Sequence, residues 1–158
     1  MSDHLPAHIT IGGDLLVALF EEFFDAVEED GPGLEYGDAT PDIETLRAHI
    51  QKLGDDCLDF QDDQARVGDE MTNLIAFCRK HNLTYVMHAD AKYEYDAELR
   101  WWKPGMDDER VCTSTQTDDA MVNVQEVAKA MAEPDPLRHI QKLIDDNTPC
   151  QVPAFRLV

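Results

Sequence analysis

The sequence predicts an α+β domain in which about five helices pack on a small antiparallel sheet of three to five strands. Two observations carry this. Apolar residues recur at about 3.6-residue spacing through separate segments, whereas the segment 93–103 alternates from one residue to the next. The connections around that segment are short, which favours antiparallel neighbours. A length of 158 residues suits one acidic globular domain with its own core, and residues 1–7 read as a loose N-terminal tail.

Residues 8–11 alternate briefly and predict a short strand, stopped by Gly12 and Gly13. A helix is expected over 14–30, DLLVALFEEFFDAVEED. Leu15, Leu16, Val17, Leu19, Phe20, Phe23, Phe24, Ala26 and Val27 fill its apolar side. Asp14, Glu21, Glu22, Asp25, Glu28 and Glu29 fill the other, with no Lys or Arg between them. Glu21–Asp25 and Asp25–Glu29 are like-charge pairs at i,i+4, and Asp30 adds charge at the negative end of the helix dipole. Such crowding is expected to raise some of these carboxyl pKa values.

Thr40 and Pro41 predict the start of a second helix, with Ile43, Leu46, Ile50 and Leu53 on one face and Gly54 ending it. Residues 55–63, DDCLDFQDD, read as an acidic loop anchored by Leu58 and Phe60, with Asp55, Asp56, Asp59, Asp62 and Asp63 in water. A calcium loop is excluded by pattern. Counting Asp55 as the first position, Phe60 and Arg66 stand where the glycine and glutamate belong.

A third helix is expected over 64–81, burying Val67, Met71, Leu74, Ile75 and Cys78. Strands follow over 83–88, 93–103 and 110–115. The second of these sets Tyr95, Ala97, Leu99 and Trp101 against the core as the centre of the sheet. Thr117 is expected to cap a fourth helix, with Val124, Val127, Ala128 and Met131 inward. Asp135 and Pro136 start a fifth, burying Leu137, Ile140, Leu143 and Ile144, and Phe155 and Leu157 suit an edge strand.

The net charge is −20, and it is unevenly placed. Residues 1–70 hold 19 acidic and 3 basic residues, a net of −16, whereas residues 71–158 carry a net of −4. Such a surface repels nucleic acid and anionic membranes and attracts basic proteins. No apolar run is long enough to span a membrane and no basic n-region with a cleavage site is seen. A protein that neither spans a membrane nor is secreted, and hence a cytoplasmic one, is expected. Cys57, Cys78, Cys112 and Cys150 form no CxxC and read as free thiols.

Chemistry is sparsely signalled. The best candidates are His88, Asp90, Glu94, Asp96 and Glu98, types that ligate metals or exchange protons. His4, His8, His49, His81 and His139 form no HxH or HxxxH pair, and neither Ser2 nor Ser114 lies in GxSxG. No catalytic residue, metal or cofactor is therefore expected.

The sequence points instead to a non-enzymatic binding protein. Asp14, Glu21, Glu22, Asp25, Glu28, Glu29, Asp30, Asp55, Asp56, Asp59, Asp62 and Asp63 would present carboxylates to a basic partner. In its sharpest form this is a nucleic-acid mimic that inhibits a DNA- or RNA-binding protein, and it resembles anti-defence mimics in charge alone. The alternative is a small metal-dependent or acid/base enzyme using His88, Asp90, Glu94 and Asp96. A homodimer is compatible with either.

Overall fold

The computed structural model describes residues 4–92 and 95–158. Its hub is β1, His4–Leu15, whose Leu5, Ala7, Ile9 and Ile11 point into the main core. It pairs antiparallel with β2, Leu58–Arg66, on one side and with β3, Thr84–Ala89, on the other. Then come β4, Glu98–Trp102, and β5, Arg110–Thr113, giving the order β2-β1-β3-β4-β5. A sixth strand, β6, Phe155–Leu157, runs parallel to the end of β1. The sheet thus has one strand more than the expected maximum, and its centre is β1 and β3 rather than β4.

Gly12 and Gly13 do not stop β1. A Cβ on Gly12 would lie 1.8 Å from the Pro153 carbonyl oxygen, so this glycine lets residues 152–154 approach the strand. The Gly13 amide donates to the Ala154 carbonyl at 3.0 Å and the Val158 amide to the Leu15 carbonyl at 2.8 Å. Residues 13–15 are therefore held extended, and the helix expected from Asp14 starts late. A 3₁₀ turn, Val17–Leu19, leads into α1, Phe20–Asp30. Leu16 and Val17, expected in the apolar stripe, are more than half exposed. Residues 4–7, read as tail, belong to β1.

The acidic loop expected over 55–63 is largely β2. Its alternation is apolar-in and acid-out, with Leu58 and Phe60 buried and Asp59 exposed. Because β2 takes residues 64–66, the third helix is shorter than its apolar spacing suggested, at Thr72–Lys80 (α3). The second helix, α2, Ile43–Lys52, is capped by Asp42 rather than Thr40, its side chain accepting the Thr45 amide at 2.7 Å.

Phe23 of α1 sits at the middle of the core, its ring centroid 5.3 Å from Phe77 and 5.6 Å from Phe155. On the opposite face of the sheet, Leu99, Trp101 and Cys112 make a smaller cluster. Ala97, Leu99 and Trp101 are buried as the alternation predicts, but Tyr95 is exposed and Trp102 buries on the main-core side. Two further helices, α4, Val124–Met131, and α5, Pro136–Asp146, form a hairpin. Only Ala130 of α4 is buried and no residue of α5 is, with Val124 and Leu137 each 81% exposed. The two helices pack on each other rather than on the sheet, and the residues expected to face inward are largely uncovered. Val124, Val127, Ala128 and Met131 of α4 and Leu137 and Ile144 of α5 are exposed, and Ile140 and Leu143 are half-buried. Asn123, not Thr117, caps α4 by accepting the Gln125 amide at 2.7 Å. All four cysteines are unpaired. Among the described residues no helix is long and apolar enough to cross a membrane.

Candidate functional site

The twelve carboxylates expected to face a partner separate into two groups. Glu21, Asp25, Glu28 and Glu29 project from α1 into solvent without an ion pair or side-chain hydrogen bond among the described residues. Asp56 likewise engages neighbours only through its backbone. Others serve the fold. Glu22 accepts from Lys80 Nζ at 2.5 Å and lies 3.3 Å from His81 Nε2, both of them brought by α3. The Lys80 hydrogen bond, then that of His81, holds its carboxyl below the ordinary value. Crowding therefore does not raise Glu22. The sequence showed no cation on α1, but α3 supplies two groups from beside it.

Asp30 accepts the backbone amides of Asn73 at 3.2 Å and Leu74 at 2.7 Å. Burial pushes its carboxyl above the ordinary value, and these hydrogen bonds offset part of the shift. Asp14 lies on β1 opposite Arg156 in register, and Asp55 pairs with Arg156 at 3.2 Å. Asp59 accepts from Thr10 Oγ1 at 2.5 Å, Asp62 from the Gln64 amide at 2.8 Å, and Asp63 from the Gly37 amide at 3.1 Å.

A second assembly lies on the sheet face opposite the main core. His8 of β1 and His88 of β3 are directly opposed in the antiparallel register, with ring centroids 5.2 Å apart. Asp118 comes down on them from the loop after β5. Thr115 Oγ1 accepts the amides of Thr117 and Asp119, each at 3.2 Å, and Asp118 takes the left-handed conformation at φ 64°. This turn places Asp118 Oδ2 3.2 Å from His8 Nε2 and Asp118 Oδ1 3.1 Å from His88 Nδ1. Asp90 Oδ1 is 3.4 Å from the same His88 nitrogen.

His88 is 1% exposed, and its two nitrogens differ. Nε2 lies 3.2 Å from the Thr115 carbonyl oxygen, which can only accept, so Nε2 carries the hydrogen. Nδ1 is buried among carboxylates, yet neither contact has hydrogen-bond alignment. Tyr36 Oη stands 3.3 Å from His8 Nδ1. Its hydroxyl is pushed up from the ordinary value, first by burial and then by Asp90, Asp118 and Asp63, so three carboxylates act on one spot. The assembly opens to solvent through a depression of about 580 Å³.

Of the residues singled out for chemistry, His88 and Asp90 meet here. Asp96 and Glu98 lie instead along a second groove with Arg100, which Asp90 also borders, and Glu98 accepts from Arg100 Nε at 2.5 Å. Glu94 lies outside the described residues. His8 and Asp118 were not foreseen. The alternating pattern of 8–11 and 83–88 put both histidines on strands, but the pairing register was not readable. Comparison with models of protein families, with curated proteins and with solved structures gave no match.

Proposed function

We propose that the protein is a non-enzymatic binding protein whose α1 presents carboxylates to a basic partner. The observation that carries this is the strip Glu21, Asp25, Glu28 and Glu29, which is exposed and makes no ion pair among the described residues, Lys80 in the cleft beside Asp25 and Glu29 being engaged by Glu22. The strip is also rigid, because the other side of α1 is fixed by buried Phe20, Phe23 and Val27. Carboxylates at i, i+4 and i+7 repeat about every 4.5–6 Å along a helix axis, a fixed comb for Lys and Arg side chains. The carboxylates of β2 contribute field rather than contacts, since Asp59, Asp62 and Asp63 are engaged within the chain. The sharp form of the reading is a nucleic-acid mimic that inhibits a DNA- or RNA-binding protein. Four unpaired cysteines accord with a reducing compartment, so the partner is sought in the cytoplasm.

The test is capture of basic proteins on the immobilised chain, repeated with Glu21→Gln, Asp25→Asn and Glu28→Gln combined. A genuine partner binds the parent protein with an affinity that falls steeply with salt, since exposed charges are screened over roughly 10 Å at 0.1 M. The triple variant slows its association, and duplex DNA competes for it. A partner indifferent to salt and to the three substitutions overturns the reading.

A further inference from the structure

We propose that His8 Nε2, His88 Nδ1 and the Asp118 carboxylate form a binding site for a divalent transition-metal ion of the zinc class. The three ligand atoms lie within 4.8 Å of one another. Two ligands bound at about 2.0–2.1 Å on a tetrahedral ion stand about 3.3 Å apart. Asp118 Oδ2 is 3.2 Å from His8 Nε2 and Asp118 Oδ1 is 3.1 Å from His88 Nδ1, each near that spacing, and an ion would draw in the wider separations, which reach at most 4.8 Å.

An independent observation is the state of His88. With one hydrogen committed at Nε2 to Thr115, His88 turns its other nitrogen, Nδ1, toward the oxygens of Asp118 and Asp90. This nitrogen is buried beside two carboxylates without a hydrogen bond, and a bare ring nitrogen there sets its lone pair against theirs. A cation seated between these atoms turns each repulsion into coordination. The outer partners follow the same logic. The Thr115 carbonyl fixes the ring of His88 from behind, and Tyr36 Oη stands behind the non-ligating nitrogen of His8.

Two imidazoles and a carboxylate favour zinc, cobalt or iron over magnesium or calcium, which prefer all-oxygen shells. Three protein ligands beside an open depression leave a coordination position for water or a small ligand, with Asp90 at its edge. The site lies on the sheet and shares no residue with the α1 strip, so it stands or falls apart from the partner-binding reading.

The experiment uses the full chain stripped with a chelator. Zn²⁺ affinity is measured by competition with a chromophoric chelator, and Co²⁺ is added as a spectroscopic probe. One ion is expected per chain, with visible Co²⁺ absorption of a low-symmetry nitrogen–oxygen site. His88 is too buried to replace safely, so the variants are Asp118→Asn and His8→Gln, both at the open side of the site. Each weakens Zn²⁺ binding at least tenfold while the circular dichroism stays that of the parent, and His49→Gln on α2 leaves it unchanged. Uptake without a fixed stoichiometry overturns the proposal. So does equal affinity in Asp118→Asn and His8→Gln, or displacement of Zn²⁺ by equimolar Mg²⁺.

Discussion

The Asp30 carboxylate receives the Leu74 amide at 2.7 Å, so the last residue of α1 caps the first turn of α3. The chain's own cap position there is Met71, which has no acceptor side chain and sits at φ 49°. Asp30 fills the role from another element, bonding the amides that an ordinary cap bonds. Asp30→Ala should cost about 0.5–2 kcal/mol in urea unfolding, and Asp30→Asn much less, because the amide oxygen still accepts.

The same residue gives a pH signature. Burial raises its folded pKa above the ordinary 3.8. Its contribution to stability is complete below that value and is lost as pH rises through the folded value. Asp30→Asn should therefore gain on the parent over that window. A stability difference that stays constant with pH would show that the carboxyl is not strained by burial.

Glu22 should behave in the opposite way. Its folded pKa lies below the ordinary 4.5 because of Lys80 and His81. The stabilisation is present above that value and disappears as pH falls through the folded one. Thermal melts should show Glu22→Gln less stable than the parent at pH 7 and equal to it in acid. Asp25→Asn, by contrast, relieves two i,i+4 repulsions of about 0.2–0.5 kcal/mol each and should raise the melting temperature slightly. Salt should shrink both differences.

Gly12→Ala should destabilise by about 1–3 kcal/mol or more, since the new methyl group meets backbone rather than a flexible side chain. Amide exchange should locate the damage. Protection should fall first at Phe155 and Val158, whose amides donate to Asp56 and Leu15.

The helical hairpin gives a contrast within one helix type. Leu137→Ser should change stability by less than about 0.5 kcal/mol, whereas Phe23→Ala should cost about 3–5 kcal/mol. Chemical denaturation of the two variants side by side decides it.

Periodicity made most of the fold legible, but only where one physical cause acted. β4 was readable from Ala97, Leu99 and Trp101 because alternation there reflects burial directly. β2 was not, because Asp59 follows from an uncovered sheet face and, together with Asp62 and Asp63 near the irregular end of the pairing, looks like loop composition. The stripe of α5 is periodic yet uncovered, since apolar spacing marks one side of a helix without saying that anything packs on it. Thr117 and Asn123 are both good caps by type, and only the turn built on Thr115 shows why the earlier one is passed over. His88 and Asp90 were visible as chemistry. Their companions His8 and Asp118 lie far away in sequence, and strand register with one left-handed turn brings them together.

The parallel pairing of β1 with β6 has a kinetic consequence. About 140 residues separate Leu15 from Phe155, and closing so long a loop costs only logarithmically more than closing a short one, so equilibrium stability tolerates it. Time is a different matter. During synthesis β1 can pair with β2 and β3 long before β6 exists, and residues 13–15 then present unpaired backbone beside a half-built core. The ribosome-bound chain thus passes through an interval in which its hub strand has one open flank. The dense negative charge of residues 1–70, already translated by then, keeps neighbouring nascent chains from adding themselves to that edge.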